Sequence, residues 1–189
     1  MNPLHPKIGR GGRPNAAKLY GAIVAQARLP VFYRSLFVPD TLQGRFLVLS
    51  LHLFAVQYRL KEEGAEALNL SQELSDRFSE DMEIVLREVG VGDLSIPKKM
   101  RGLAASNAAL FSAYAKALPA GEQGLAQAIA EALPPAGETL SGDATGKLAR
   151  YVIAMAQALR AQPLAALRAG EVRFPDPCEQ DPARYGSDD

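Results

Sequence analysis

The sequence predicts an all-α fold: a single-domain helical bundle of about seven helices around a buried central helix. Apolar residues recur every three or four positions in one segment after another, which is the period of a helix face, and no convincing strand is visible. Alanine is abundant, β-branched residues are few and Trp is absent. A chain of 189 residues with 48% apolar and 22% charged residues buries one core and is too short for two comfortable domains.

Asn15 is positioned to cap the first helix, whose Leu19, Tyr20, Ile23, Val24 and Ala27 share one face before Pro30. A short helix follows from about Val31 to Leu36. Val38 precedes Pro39 and is therefore pushed out of helical geometry, so the chain is extended there. Asp40, with Gln43 three residues on, has the pattern of a capping box for the next helix, about Thr41–Glu63. Gly64 supplies its left-handed stop. The centre of that helix, FLVLSLHLFAV, is far shorter than the roughly 20 apolar residues a bilayer needs. It reads as the buried central helix.

From about Leu70 to Glu88 the pattern is plainly amphipathic, with Leu70, Leu74, Phe78, Met82, Val85 and Val89 on one face. The turn GVGD ends this helix, and the next opens near Ser95 with Pro97 in its first turn, where proline removes no needed donor. Its inner face reads Met100, Leu103, Asn107, Leu110, Phe111, Tyr114 and Leu118. Two Ala-rich helices follow, about Glu122–Leu133 and Asp143–Ala161, separated by Pro134-Pro135 and AGETLSGD. A short piece from Pro163 to Ala169 precedes the tail. The expected organisation is a flexible segment over 1–14, a helical domain over 15–170 and a mobile tail over 171–189, where no apolar period survives.

Charge and residue counts remove several function classes. Lys plus Arg equals Asp plus Glu at 21 each, so no global field points to nucleic acid or an acidic membrane, and no direct nucleic-acid readout is expected. The single Cys178 permits no intramolecular disulfide. With His5 and His52 the only histidines, a zinc site or a Ser-His-Asp triad has almost no material. No metal, cofactor or catalytic residue is therefore expected. SGDATGKL resembles a phosphate loop but has Ser141 where the glycine belongs and Leu148 after the lysine; it reads as a loop and helix start. Glu73, Asp76, Glu80 and Glu83 form an acidic stripe that reads as a solvated face. The amino terminus has no secretory apolar stretch, so a cytoplasmic protein is expected.

Two patterns remain. Seven of the 13 aromatics lie between Tyr20 and Tyr58, crowded around VFYRSLFVPDTLQGRF. On the central helix, Arg45, His52 and Arg59 are spaced by sevens, almost in line, because seven residues are close to two helical turns. This basic strip either pairs internally, with acidic residues such as Glu73 or Asp76, or faces a partner. His52 also offers a ring nitrogen that a haem could use.

The segments LYGAIVAQARLPVFYRSLFVPDTLQGRFLVLSLHLFAVQYRL and DMEIVLREVGVGDLSIPKKMRGLAASNAALFSAYAKAL resemble the ubiquinol–cytochrome c chaperone family, over about 19–160. The specific marks are YR-x(3)-VPDT-x(2)-GRF and REVGVGDL-x-IPKKM. The resemblance implies an all-helical assembly factor for the cytochrome bc complex that binds nascent cytochrome b, with ribosome contact and peripheral contact at the inner face of a bacterial inner membrane. Lack of a long amino-terminal extension points to a bacterial member. A hydrophobic groove rimmed by arginines suits such a client, as in helix-in-groove recognition. The candidate client-binding residues are Phe32, Tyr33, Arg34, Arg45, His52 and Arg59, with Lys98, Lys99 and Arg101 after the GVGD turn. Phe37 and Phe46 are expected to anchor the core. The alternatives are a helical small-molecule or haem-binding protein, and a helical scaffold joining other proteins.

Overall fold

The computed structural model describes residues 12–132 and 140–180. Among them the chain forms eight α-helices and no strand: α1 (Gly12–Ala27), α2 (Val31–Arg34), α3 (Leu42–Glu62), α4 (Leu68–Glu88), α5 (Ile96–Ala117), α6 (Gly121–Glu131), α7 (Gly142–Arg160) and α8 (Leu164–Arg168). Short 3-10 turns link several of them. Pro134-Pro135, the residues before Gly12 and the tail beyond Gln180 lie outside the described residues.

Helix α3 is the centre of the bundle, touching α1, α4, α5 and α7. Every residue from Ser50 to Val56 is buried, as the continuous apolar run requires of a helix covered on all sides. Around it lie Leu19 and Ile23 of α1, Leu74 of α4, and Leu148, Val152, Met155 and Leu159 of α7, all inaccessible to solvent. Helix α6 packs on α7 and α5 through Leu125 and Ile129. Gly64 and Gly90 follow α3 and α4 with φ of +60° and +84°, the left-handed stops expected of glycine there.

Three local expectations are corrected. Helix α1 begins at Gly12, so Asn15 lies inside it and Pro14 occupies the first turn, where the missing N–H costs nothing. The cap of α3 is Thr41, whose Oγ1 accepts the Gly44 N–H at 3.2 Å. Asp40 turns instead to the Arg45 Nε at 2.7 Å. Adjacent Asp and Thr are both good caps, and the nearby guanidinium decides between them. Phe37, expected in the core, is 58% exposed and holds a φ of +57°, rare for a bulky side chain. The Lys147 ammonium lies 5.1 Å from its ring.

Residues 171–180, read from the sequence as the start of a mobile tail, run along the core. Val172 and Phe174 pack against it, and Pro177 is buried. Gln162 clamps the strap in both directions, accepting from the Arg173 N–H and donating to the Arg173 carbonyl, each at 2.8 Å. Two apolar side chains and one side-chain clamp suffice without any helical period.

Candidate functional site

Helix α5 is amphipathic as expected, yet only Ile96 and Tyr114 of it are buried. Met100, Leu103, Leu110 and Phe111 are left half-covered. The reason is a groove of about 1140 Å³ between α3, α4 and α5. Its floor is Leu53, Phe54 and Tyr58 of α3; one wall carries Phe78 of α4, the other Met100, Leu103 and Phe111 of α5. The Phe54 ring stands edge-on to Phe111 at 5.8 Å and to Tyr114 at 5.4 Å, fixing the floor to the α5 wall.

Small residues leave the space between the walls unfilled. On α4 these are Ser71, Ser75 and Ser79; on α5, Ala104 and Ala108. The serines are bonded along their own helix or to α3: Ser79 Oγ donates to the Ser75 carbonyl at 2.9 Å, and Gln57 Nε2 donates to the Ser71 carbonyl and Ser75 Oγ, each at 3.0 Å. The wall therefore offers little unmet polarity. Asn107 is the exception, since its Oδ1 is buried with no hydrogen-bond partner among the described residues. Among the described residues, the charged ones lining the groove are Lys61, Arg101 and Lys116, and no carboxylate lines it.

The nine residues expected at a client surface do not form one surface. Arg101 lines the groove, and Lys98 and Lys99 stand exposed one turn earlier on α5. Tyr33, Arg34 and Arg45 lie at or near α2, with Arg45 paired to Asp40 and its guanidinium 6.0 Å from the Tyr33 ring centre. Phe32, His52 and Arg59 are buried, which corrects their reading as surface contacts. Arg59 donates to the Leu159 carbonyl at 3.0 Å and pairs with Glu63. The strip thus pairs internally at both arginines, with Asp40 and Glu63 rather than Glu73 or Asp76. Equal spacing put the three side chains on one line; packing against α7 and the strap then covered the carboxyl-terminal two. Within the acidic stripe, Glu80 pairs with Arg77 and Glu83 with Arg87, whereas Glu73 is buried.

His52 belongs to a closed relay in the core. Its Nδ1–H donates to the Val48 carbonyl at 2.7 Å, and its Nε2 accepts from the Tyr151 hydroxyl at 3.0 Å. Gln26 Nε2 donates to the same hydroxyl at 3.0 Å. The rings of Phe32 and Phe174 close on the imidazole edge-on at 5.3 and 5.2 Å. Both ring nitrogens are engaged, so this histidine has none left for a haem. Burial lowers its pKa from 6.5 to about 4.

That depression has a measurable consequence. Between pH 6.5 and 4 the unfolded chain binds a proton that the native imidazole refuses, so stability is full above that window and falls as pH drops through it. From pH 7 to pH 5 the loss is about 2 kcal/mol. Glu62, held below its usual 4.5 by Arg160, contributes its own loss only at lower pH. Urea melts at the two pH values check this. His52→Gln is expected to be less stable at pH 7 and nearly flat between the two; an unchanged slope would contradict the assignment.

Among the described residues, no cluster of three or more His, Cys, Asp or Glu side chains could hold a metal, and no helix is long and apolar enough to cross a membrane. Fold and groove together define an all-α bundle with an open apolar groove on one side. Residues 34–174 match the family model described as Ubiquinol-cytochrome C chaperone, and the chain belongs to that family. It is also similar to the crystal structure of the Cbp3 homolog from Brucella abortus, with 35% identity and a TM-score of 0.80 over 91% of this chain and 94% of that one. A further relative is the ubiquinol-cytochrome-c reductase complex assembly factor 1 of Xenopus laevis, 26% identical over 88 residues. That match takes in 47% of this chain and 44% of the Xenopus protein, so the chain spans less than half the relative's length.

The sequence located Arg101 but missed Lys61, Lys116 and the groove itself. The amphipathic face of α5 was legible, as was the polar Asn107 within it. What no residue pattern disclosed is that no described helix covers this face.

Proposed function

We propose that this chain is an assembly chaperone for the ubiquinol–cytochrome c reductase complex and that it holds newly made cytochrome b against the α3–α4–α5 groove. Family membership supports the role in complex assembly. The observation that supports the site is the half-covered apolar face of α5, open to solvent across a floor of Phe54 and Tyr58. Apolar helices of an unassembled membrane protein need such a face before they reach the bilayer. The chain works in this reading by binding, with no turnover of its own. Contact with the ribosome and with the cytoplasmic face of a membrane belongs to the same proposal. The closed His52 relay speaks against the rival haem-carrier reading.

Blocking the groove tests the proposal. Ala108 lines it and is exposed, so Ala108→Arg places bulk and charge there without disturbing the core. In a strain lacking the wild-type gene, this variant should melt like wild type yet fail to restore cytochrome b spectra. Gln157→Arg, on the exposed face of α7, should restore them fully. Normal cytochrome b with a blocked groove would move the client elsewhere.

A further inference from the structure

We infer that the groove's occupant is a helical protein segment of about four turns with an apolar face and a carboxylate toward each end. This deepens the reading of the groove given above and rests on it. The inference starts from charge. In a chain with equal numbers of acidic and basic residues, the groove lining has three cations and no anion. Lys61 stands in the last turn of α3 and Lys116 in the last turn of α5. Both border the end of the groove that holds Gly64 and Leu68. Arg101 lies 15 residues before Lys116 on the same helix, which at 1.5 Å per residue is about 22 Å along its axis. The floor between these cations is apolar.

All three cations are exposed, and none has an ion pair with a described residue. Their charge is therefore available to an incoming group. A segment spanning that distance as a helix has about 15 residues, or four turns, and carboxylates near its two ends meet cations while its centre meets Leu53, Phe54 and Leu103.

The test uses purified full-length protein and two labelled 18-residue peptides with one apolar helical face, one peptide ending in glutamates and the other in lysines. Fluorescence anisotropy at low salt should favour the glutamate-ended peptide by about tenfold, with the preference shrinking as salt screens it. In the Lys61→Glu/Arg101→Glu/Lys116→Glu variant the preference should reverse; the three side chains are exposed, so the fold is retained. Equal binding of the two peptides, or a lipid found in the groove by native mass spectrometry, would overturn the inference. Cytochrome b crosslinking to the groove alongside equal peptide binding would sink only the occupant's chemistry and leave the client reading in place. Peptide discrimination without any cytochrome b crosslink would do the reverse.

Discussion

Gly44→Ala should destabilise the protein by about 3 kcal/mol or more, even though Ala is the better helix former by about 1 kcal/mol. A Cβ built on Gly44 lies 2.0 Å from the Pro39 carbonyl oxygen and 3.1 Å from Val38 Cγ1. The neighbour is backbone, so no side-chain rotation can relieve the overlap. Either α3 loses its first turn or the Val38–Pro39 link lifts away, taking with it the buried Val38 and the bond from its N–H to the Phe32 carbonyl at 3.0 Å. For a chain of this length the expected fall in melting temperature is about 6–12 °C. Gly102→Ala is the matched control. Gly102 lies within α5 with nothing within 4 Å of the added carbon, so there Ala should stabilise by about 0.5–1 kcal/mol. Calorimetry of the two variants should therefore give shifts of opposite sign. Two shifts of the same sign would contradict the close approach.

Arg59→Ala should cost about 3 kcal/mol, while Arg45→Ala should change melting little. Both come from the same strip, and their surroundings separate them. Arg59 is 8% exposed and spreads its guanidinium over the carbonyls that end α7, donating to Leu159 at 3.0 Å and Gln162 at 3.4 Å, besides pairing with Glu63. A cation on the carboxyl end of a helix satisfies carbonyls that have no partner within the helix. Truncation takes this donor from both carbonyls, although that of Leu159 keeps the Gln162 N–H at 3.2 Å, leaves Glu63 without its cation and opens a hole between α3 and α7. Arg45 pairs with Asp40 where both side chains are more than half exposed, and such pairs are screened by water. Arg59→Lys should recover part of the loss, because an ammonium keeps the charge but not the forked geometry. Chemical denaturation of the three variants checks the ranking. Equal effects at positions 45 and 59 would contradict it.

The contrast also shows where sequence reading stops. Most helix spans were legible to within about two residues, the start of α1 excepted, because apolar period, Gly64 and Pro97 each have a local physical meaning. So was the central position of α3, since only a helix covered on all sides carries a run such as Ser50 to Val56. Positions along a helix are local facts; what covers them is not. Arg45, His52 and Arg59 follow one rule of spacing, and α7 with the 171–180 strap buries two of the three. Phe37 looked like an anchor by composition, but the left-handed turn at that residue points it outward. The groove was half legible. The face of α5 from Met100 to Tyr114 was visible as a stripe, whereas the small residues that leave the space between it and α4 unfilled matter only once the helices are placed together.

In-cell photo-crosslinking from the groove tests the central claim most directly. A benzophenone side chain replaces Ala104, which lines the groove and is exposed, or Gln157, which is exposed on α7. The attached chains are then identified by mass spectrometry. Cytochrome b is expected attached at position 104 and not at 157. Cytochrome b attached at 157 alone, or at neither position while the protein still supports assembly, would contradict it.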